Sequence, residues 1–271
     1  MQVRSYGNVG PPVILLHGGP GAPGSMAPVG RALGETFRVL EPFQRSSDKD
    51  NDKDQPPLTV ARHIADLDEL IDSRHSMAPP ALVGHSWGAM LALAYAAAHP
   101  GSVRALALIS CGTFNAASRA RMKFLLDQRF TPQLRRQMEQ LRAGFPDPNQ
   151  RLKAVGDFLL PLYSFDLVTT NTETGGCDAR AHDETWHDML HLQESGVYPA
   201  ALAAIKVPVL MLHGAADPHP GTMIRDSLLP YLPQLEYREW VHCGHYPWLE
   251  RAVRGEFFAL LRDWLQQPHR G

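Results

Sequence analysis

The chain lacks an excess of charge of either sign: 26 Lys and Arg stand against 28 Asp and Glu, a formal net charge of −2. Proteins that hold nucleic acid or an anionic membrane surface carry a basic excess, so neither partner is expected. Cysteine is scarce as well. Cys111, Cys177 and Cys243 are odd in number, far apart and without a CxxC pair, which excludes a dense disulfide framework and fits reduced thiols in a cytoplasmic protein. Long hydrophobic runs are missing. No stretch reaches the roughly 18 apolar residues of a membrane-spanning helix. The N-terminus MQVRSYGNVGPPVILLHGG has no charged segment leading into a signal-peptide core, so neither export nor a membrane span is expected.

What the chain does have is apolar content, 44% of 271 residues, enough for one large domain with a full core. Short apolar runs bounded by glycine or proline recur: PPVILLHG (11–18), FRVLEP (37–42), PPALVGHS (79–86), VRALALIS (103–110) and VPVLMLHG (207–214). Their β-branched content and lack of alternation predict strands buried on both faces of a mostly parallel sheet. Helical patterns lie between them: ARHIADLDELIDSRH (61–75), WGAMLALAYAAAHP (87–100) and GEFFALLRDWLQQ (255–267). Alternating strands and helices predict an α/β doubly wound sheet.

The alternation stops between Cys111 and about Ala204, where the sequence is mostly helical and punctuated by Pro132, Pro146, Pro148 and Pro161. The predicted organisation is therefore a core of 1–111 and 205–271 with a helical cap inserted at 112–204. Charge in the cap is segregated, with nine Lys/Arg against three Asp/Glu in 113–155 and eight acids against one arginine in 156–196. Two solvated helix faces attracting one another account for this; a polar mouth that selects substrate is the alternative. SSDKDNDKDQPP (46–57) reads as a polar loop. Asp48, Asp50 and Asp52 imitate the start of a calcium loop, but Lys53 and Thr59 stand where that motif needs Gly and Glu.

VGHSWGAMLALAYAAAHP (83–100) carries a G-x-S-x-G turn between a predicted strand and a predicted helix. Such a turn forces the serine into a strained conformation that lifts its hydroxyl above the sheet, which makes Ser86 the candidate nucleophile. A serine hydroxyl needs a base, and the base an orienting acid. HGAADPHP (213–220) places Asp217 after one strand, and YREWVHCGHYPW (237–248) places His245 after the next. The order Ser, Asp, His along successive strands suits one sheet edge. Competing bases are His242, which directly follows the strand, His213 at a strand end, and His85 inside the turn. Another acid on the same edge competes with Asp217. Oxyanion donors are expected from the backbone N–H of Trp87 and from Gly19 in HGGPG (17–21), in the loop after the third strand.

HDETWHDMLH (182–191) sets His187 and His191 one helical turn apart, and HDMLH differs from the zinc motif HExxH by Asp188. The shorter acid and the lack of a third ligand at fixed spacing favour a polar cap helix over a metal site.

HGGPG at 17–21, GHSWGAMLALAYAAAHP at 84–100 and GHYPWLER at 244–251 together resemble the α/β-hydrolase superfamily, in its branch around the proline iminopeptidases. The resemblance implies Ser86, Asp217 and His245 as a triad, Gly19 and Trp87 as oxyanion donors, and no metal or organic cofactor. The peptidases carry D-Q-R-G-x-G-x-S after the fourth strand. PFQRSSDKD (42–50) keeps Gln44 and Arg45 but loses the acid and both glycines. The peptidase cap also supplies glutamates for the substrate ammonium, for which Glu173, Glu184 and Glu194 are the candidates here. The expected function is cleavage of a small ester or amide through an acyl-enzyme, with a small-molecule or short-peptide substrate. An N-terminal aminopeptidase of the proline iminopeptidase type is one alternative; a non-catalytic small-ligand receptor on the same fold is another.

Overall fold

The computed structural model describes residues 1–21, 23–45, 56–73, 78–170 and 175–268. The aspartates of the 46–57 loop and Glu173 lie outside the described residues. Seven strands form one sheet: β1 (Val3–Tyr6), β2 (Pro12–Leu16), β3 (Arg38–Pro42), β4 (Ala81–His85), β5 (Ala105–Ile109), β6 (Val209–Gly214) and β7 (Leu235–Trp240). Their order is β1-β3-β2-β4-β5-β6-β7, with β1 antiparallel to β3 and every other pair parallel.

Every residue of β2, β4, β5 and β6 is buried, because helices cover both faces. Side chains of a strand alternate between faces, and the two cores follow that period. Ile14, Leu16, Leu82, Leu106, Leu108, Val209 and Met211 join one core with α2 (Val60–Asp72), α3 (Trp87–Ala98) and α8 (Gly221–Leu228). Val13, Leu15, Val83, Ala107, Ile109, Leu210 and Leu212 join the other with α1 (Ala27–Gly34) and α9 (Arg254–Gln266). Helix α3 is apolar all round, and ten of its 12 residues are buried, as expected of a helix packed inside a domain.

Between β5 and β6 the chain forms α4 (Ala116–Asp127), α5 (Pro132–Gly144), α6 (Pro148–Leu159) and α7 (Ala179–Glu194). Asn115, Thr131, Asp147 and Asp178 cap their N-termini through side-chain oxygens. Helix α7 docks on the core through its acids. Glu184 accepts the N–H of Leu58 at 2.8 Å and Asp188 that of Val60 at 2.7 Å, so two carboxylates one turn apart satisfy free amides at the start of α2. His63 and Thr185 meet at 3.0 Å beneath them.

The strand order reverses between β2 and β4. In open α/β sheets the crevice at such a reversal, outside the carboxyl ends of the strands, is where ligands bind. HGGPG leaves β2 and Ser86 leaves β4 at that crevice. HGGPG thus follows the second strand of this chain rather than the third, the sheet beginning at β1.

Close packing at the crevice needs both glycines around Ser86. A Cβ on Gly84 would lie 2.2 Å from the Gly88 carbonyl oxygen, and one on Gly88 would lie 2.0 Å from that of Leu16. Gly88→Ala should therefore cost about 3 kcal/mol and lower the Tm by roughly 6–12 °C. Gly255→Ala, where an added Cβ meets open space, should leave the Tm unchanged or slightly raised. Equal Tm values for the two variants would contradict the packing account.

Candidate active site

Ser86 has φ 53° and ψ −115°, a conformation that L side chains adopt only under constraint. The constraint is the turn from β4 into α3. The Ser86 N–H bonds Ile109 O at 2.9 Å, and the N–H of Trp87, first in α3, has no partner within the helix. The helix dipole adds partial positive charge there.

Opposite Ser86 lies the β2 loop. A Cβ on Gly18 would come within 3.3 Å of Ser86 Cβ, and Gly19 takes φ 121°. The loop is pinned through Gln44. The Gln44 N–H donates to His17 Nε2 at 3.0 Å, the Gln44 amide donates to His17 O at 2.8 Å, and its oxygen accepts the Trp87 indole N–H at 2.7 Å. His17 Nδ1 donates to Gly18 O at 2.8 Å. One glutamine therefore joins the two segments that carry the expected oxyanion donors. Arg45 forms a two-point ion pair with Asp66, at 2.7 and 2.8 Å.

Asp217 is fully buried in the loop after β6, and its Oδ2 accepts His245 Nδ1–H at 2.6 Å. This hydrogen bond fixes the tautomer: Nδ1 carries the proton, and Nε2 is free to accept one. Burial by itself would raise the Asp217 carboxyl, but the charges and hydrogen bonds of His245 and His219 hold it well below the usual carboxylate range. Burial lowers the pKa of His245 against the opposing pull of Asp217, which leaves a free base at neutral pH. The histidine loop is anchored from two sides. The His245 N–H donates to Tyr163 O at 2.8 Å, and the buried Glu250 carboxylate accepts the N–H groups of Gly244, Phe165 and Asp166 at 2.7–2.8 Å. Arg129 ties the acid loop to the 160s segment, donating to Ala216 O at 2.6 Å and Leu162 O at 2.5 Å.

Ser86, Gly19, His245 and His219 line one cavity of about 470 Å³. Its roof comes from α4 and α6. Helix α6 has no buried residue, and its apolar Leu152, Val155 and Leu159 face this cavity instead of a core. Lys153 and Asp157 are the charged groups among the described lining residues other than histidine, and they pair with each other at 2.6 Å.

The family model for the alpha/beta hydrolase fold matches residues 11–252. The chain is an α/β hydrolase. It is 27% identical over 276 residues to a proline iminopeptidase of Lactobacillus helveticus, covering 95% of this chain and 90% of that one. It is 28% identical to the proline iminopeptidase of Lactobacillus crispatus, covering 94% and 90%. In three dimensions it resembles a thermophilic esterase of Thermogutta terrifontis, with a TM-score of 0.64 at 18% identity over 99% of this chain and 94% of that one.

The competing bases of this α/β hydrolase are otherwise occupied. His242 is exposed and packs its ring on Phe165. His213 Nε2 donates to His219 O at 2.9 Å, and His85 Nε2 donates to His245 O at 3.0 Å. Glu184 and Glu194 do not line the cavity among its described residues; Glu184 holds the start of α2. His187 and His191 are exposed. Among the described residues the one group of three side chains spaced for a metal is Asp217, His219 and His245, and both ring Nδ1 atoms already donate to the Asp217 carboxylate. His219 and Glu250 were not singled out from the sequence, although Asp-x-His within 217–219 was a readable signal.

Acid should unfold this α/β hydrolase through its buried histidines. Burial lowers His17 and His63 to about 4 and lowers His85 and His245 as well. The unfolded chain then binds more protons, so stability is full above the unfolded value near 6.5 and is lost as pH falls from there toward 4. Asp217, depressed on folding, adds a further loss below about 4. Urea midpoints should fall between pH 7 and pH 5, with a loss on the order of several kcal/mol; a flat midpoint would contradict this.

Proposed function

We propose that this α/β hydrolase cleaves an ester or amide of a small, uncharged substrate through an acyl-enzyme on Ser86. The observation that carries the reading is the positive-φ Ser86 opening on the same cavity as His245, whose Nδ1 is bound to Asp217. Ser86 Oγ attacks the carbonyl carbon while His245 Nε2 takes its proton. The N–H groups of Gly19 and Trp87 hold the oxyanion, and the proton then passes to the leaving group. Water, deprotonated by His245, releases the acid and restores Ser86. Asp217 keeps Nδ1 protonated and steadies the imidazolium between the two steps.

Residues 112–204 act as the cap in this reading. The apolar side chains of α6 and the self-neutralised Lys153–Asp157 pair favour an acyl group without charge. The proline iminopeptidase relatives favour a second reading, removal of an N-terminal residue, which requires a carboxylate for the substrate ammonium. Asp157 is the one carboxylate among the described lining residues, and Lys153 already holds it.

A fluorophosphonate should label wild type and not Ser86→Ala, and turnover should fall about 10⁶-fold in that variant and about 10⁴-fold in Asp217→Asn. Neutral p-nitrophenyl acyl esters should be preferred to proline arylamide. Preference for the arylamide, abolished by acylating its amine, would select the peptidase reading. Tight binding without turnover across both classes would select a receptor and overturn the proposal.

A further inference from the structure

The loop after β6 sets a second imidazole on the Asp217 carboxylate, one that the chemistry of Ser86 and His245 does not by itself require. His219 donates to Asp217 Oδ1 twice, from its backbone N–H and from Nδ1, each at 2.9 Å, while His245 takes Oδ2. The two imidazole rings stack with centroids 4.6 Å apart and 18° between their planes. His219 also lines the cavity beside His245.

A buried carboxylate needs donors on both oxygens. The backbone N–H already serves Oδ1, so the His219 ring is an addition with its own consequence. Held on both oxygens, the carboxylate has no free rotation about its Cβ–Cγ bond. Stacked on His219, the His245 ring has a defined plane.

We propose that His219 is a positioning residue acting through Asp217: it fixes the carboxylate and the plane of His245, and its hold on Oδ1 sets how much of that carboxylate is left to the His245 ring. The proposal rests on the serine-hydrolase reading above. Each donor on the Asp217 carboxylate draws on the charge that balances the His245 imidazolium, so a donor removed from Oδ1 leaves more of that charge to His245. The other groups facing His219 hold steady near neutral pH. Burial pushes Tyr163 up to about 12 and lowers His85 and His213, and Arg129 on the Ala216 carbonyl stays cationic. Glu239 lies beyond His213 and acts on that ring.

The test is the pH dependence of kcat and KM for p-nitrophenyl butyrate in wild type, His219→Gln and His219→Phe, with Ser86→Ala alongside. Phe keeps the stack without the ring donor; Gln keeps a donor without the ring. The Phe variant should lose about tenfold in kcat with little change in KM, and Gln should recover most of that loss. In the Phe variant the acidic limb of kcat/KM should move to higher pH by on the order of one unit, because the carboxylate relieved of the ring donor is left to the His245 imidazolium, while Gln should hold the limb near that of wild type. An unmoved acidic limb in the Phe variant, or wild-type kcat there, would overturn the proposal. If the Phe variant does not fold, His219→Ala, which also lacks the ring donor, decides by the same limb. Turnover retained by Ser86→Ala would instead remove the serine-hydrolase reading, so the two failures are separable.

Discussion

The site depends on one buried negative charge. Asp217 is held ionised in the interior because both of its carboxylate oxygens accept N–H donors: His245 on one, His219 on the other by both ring and backbone. An unpaired carboxylate at that depth would take up a proton or force the loop open. With the donors in place its charge is fixed, and that charge sets the tautomer of His245. The surrounding chain is arranged to keep the loops still. Arg129 clamps the acid loop, and Glu250 clamps the histidine loop against the segment after α6.

The same logic of convergence governs the other half of the site. The strand order reverses between β2 and β4, so their carboxyl ends open a crevice, and the chain fills its rim with a strained serine on one side and a glycine loop on the other. Gln44 bridges the two with three hydrogen bonds. Helix α6 is built differently: it buries nothing in a core and turns Leu152, Val155 and Leu159 to the cavity.

What could be read from sequence tracks how strongly each element is constrained. Strands β2, β4, β5 and β6 are buried on both faces and announce themselves as continuous apolar runs. Strand β1 does not: VRSY is a half-exposed edge pairing only with β3, and its polar residues hide it. Helices α1 and α8 are eight residues each, too short for a clear period. That Ser86 and His245 would open on one cavity, with Asp217 beside His245, was legible because a strand end, a turn and a chain order coincide. His219 sat unremarked in the same quoted loop, since only the fold shows its ring stacked on His245. Glu250 was hidden for a related reason: its partners, Phe165 and Asp166, lie some 85 residues away. Glu184, a candidate for the substrate ammonium, and Asp188, read as part of a polar helix, hold the start of α2, a use no local pattern reveals.

The central claim is that Ser86 carries the acyl group while His245, oriented by Asp217, moves the proton. Acid-quenched wild-type protein reacting with p-nitrophenyl butyrate, digested and mapped by mass spectrometry, tests it most directly. The account requires a butyryl group on the peptide bearing Ser86, formed and lost at the rate of turnover. Turnover with the acyl group on another residue, or with none trapped under single-turnover conditions, would contradict it.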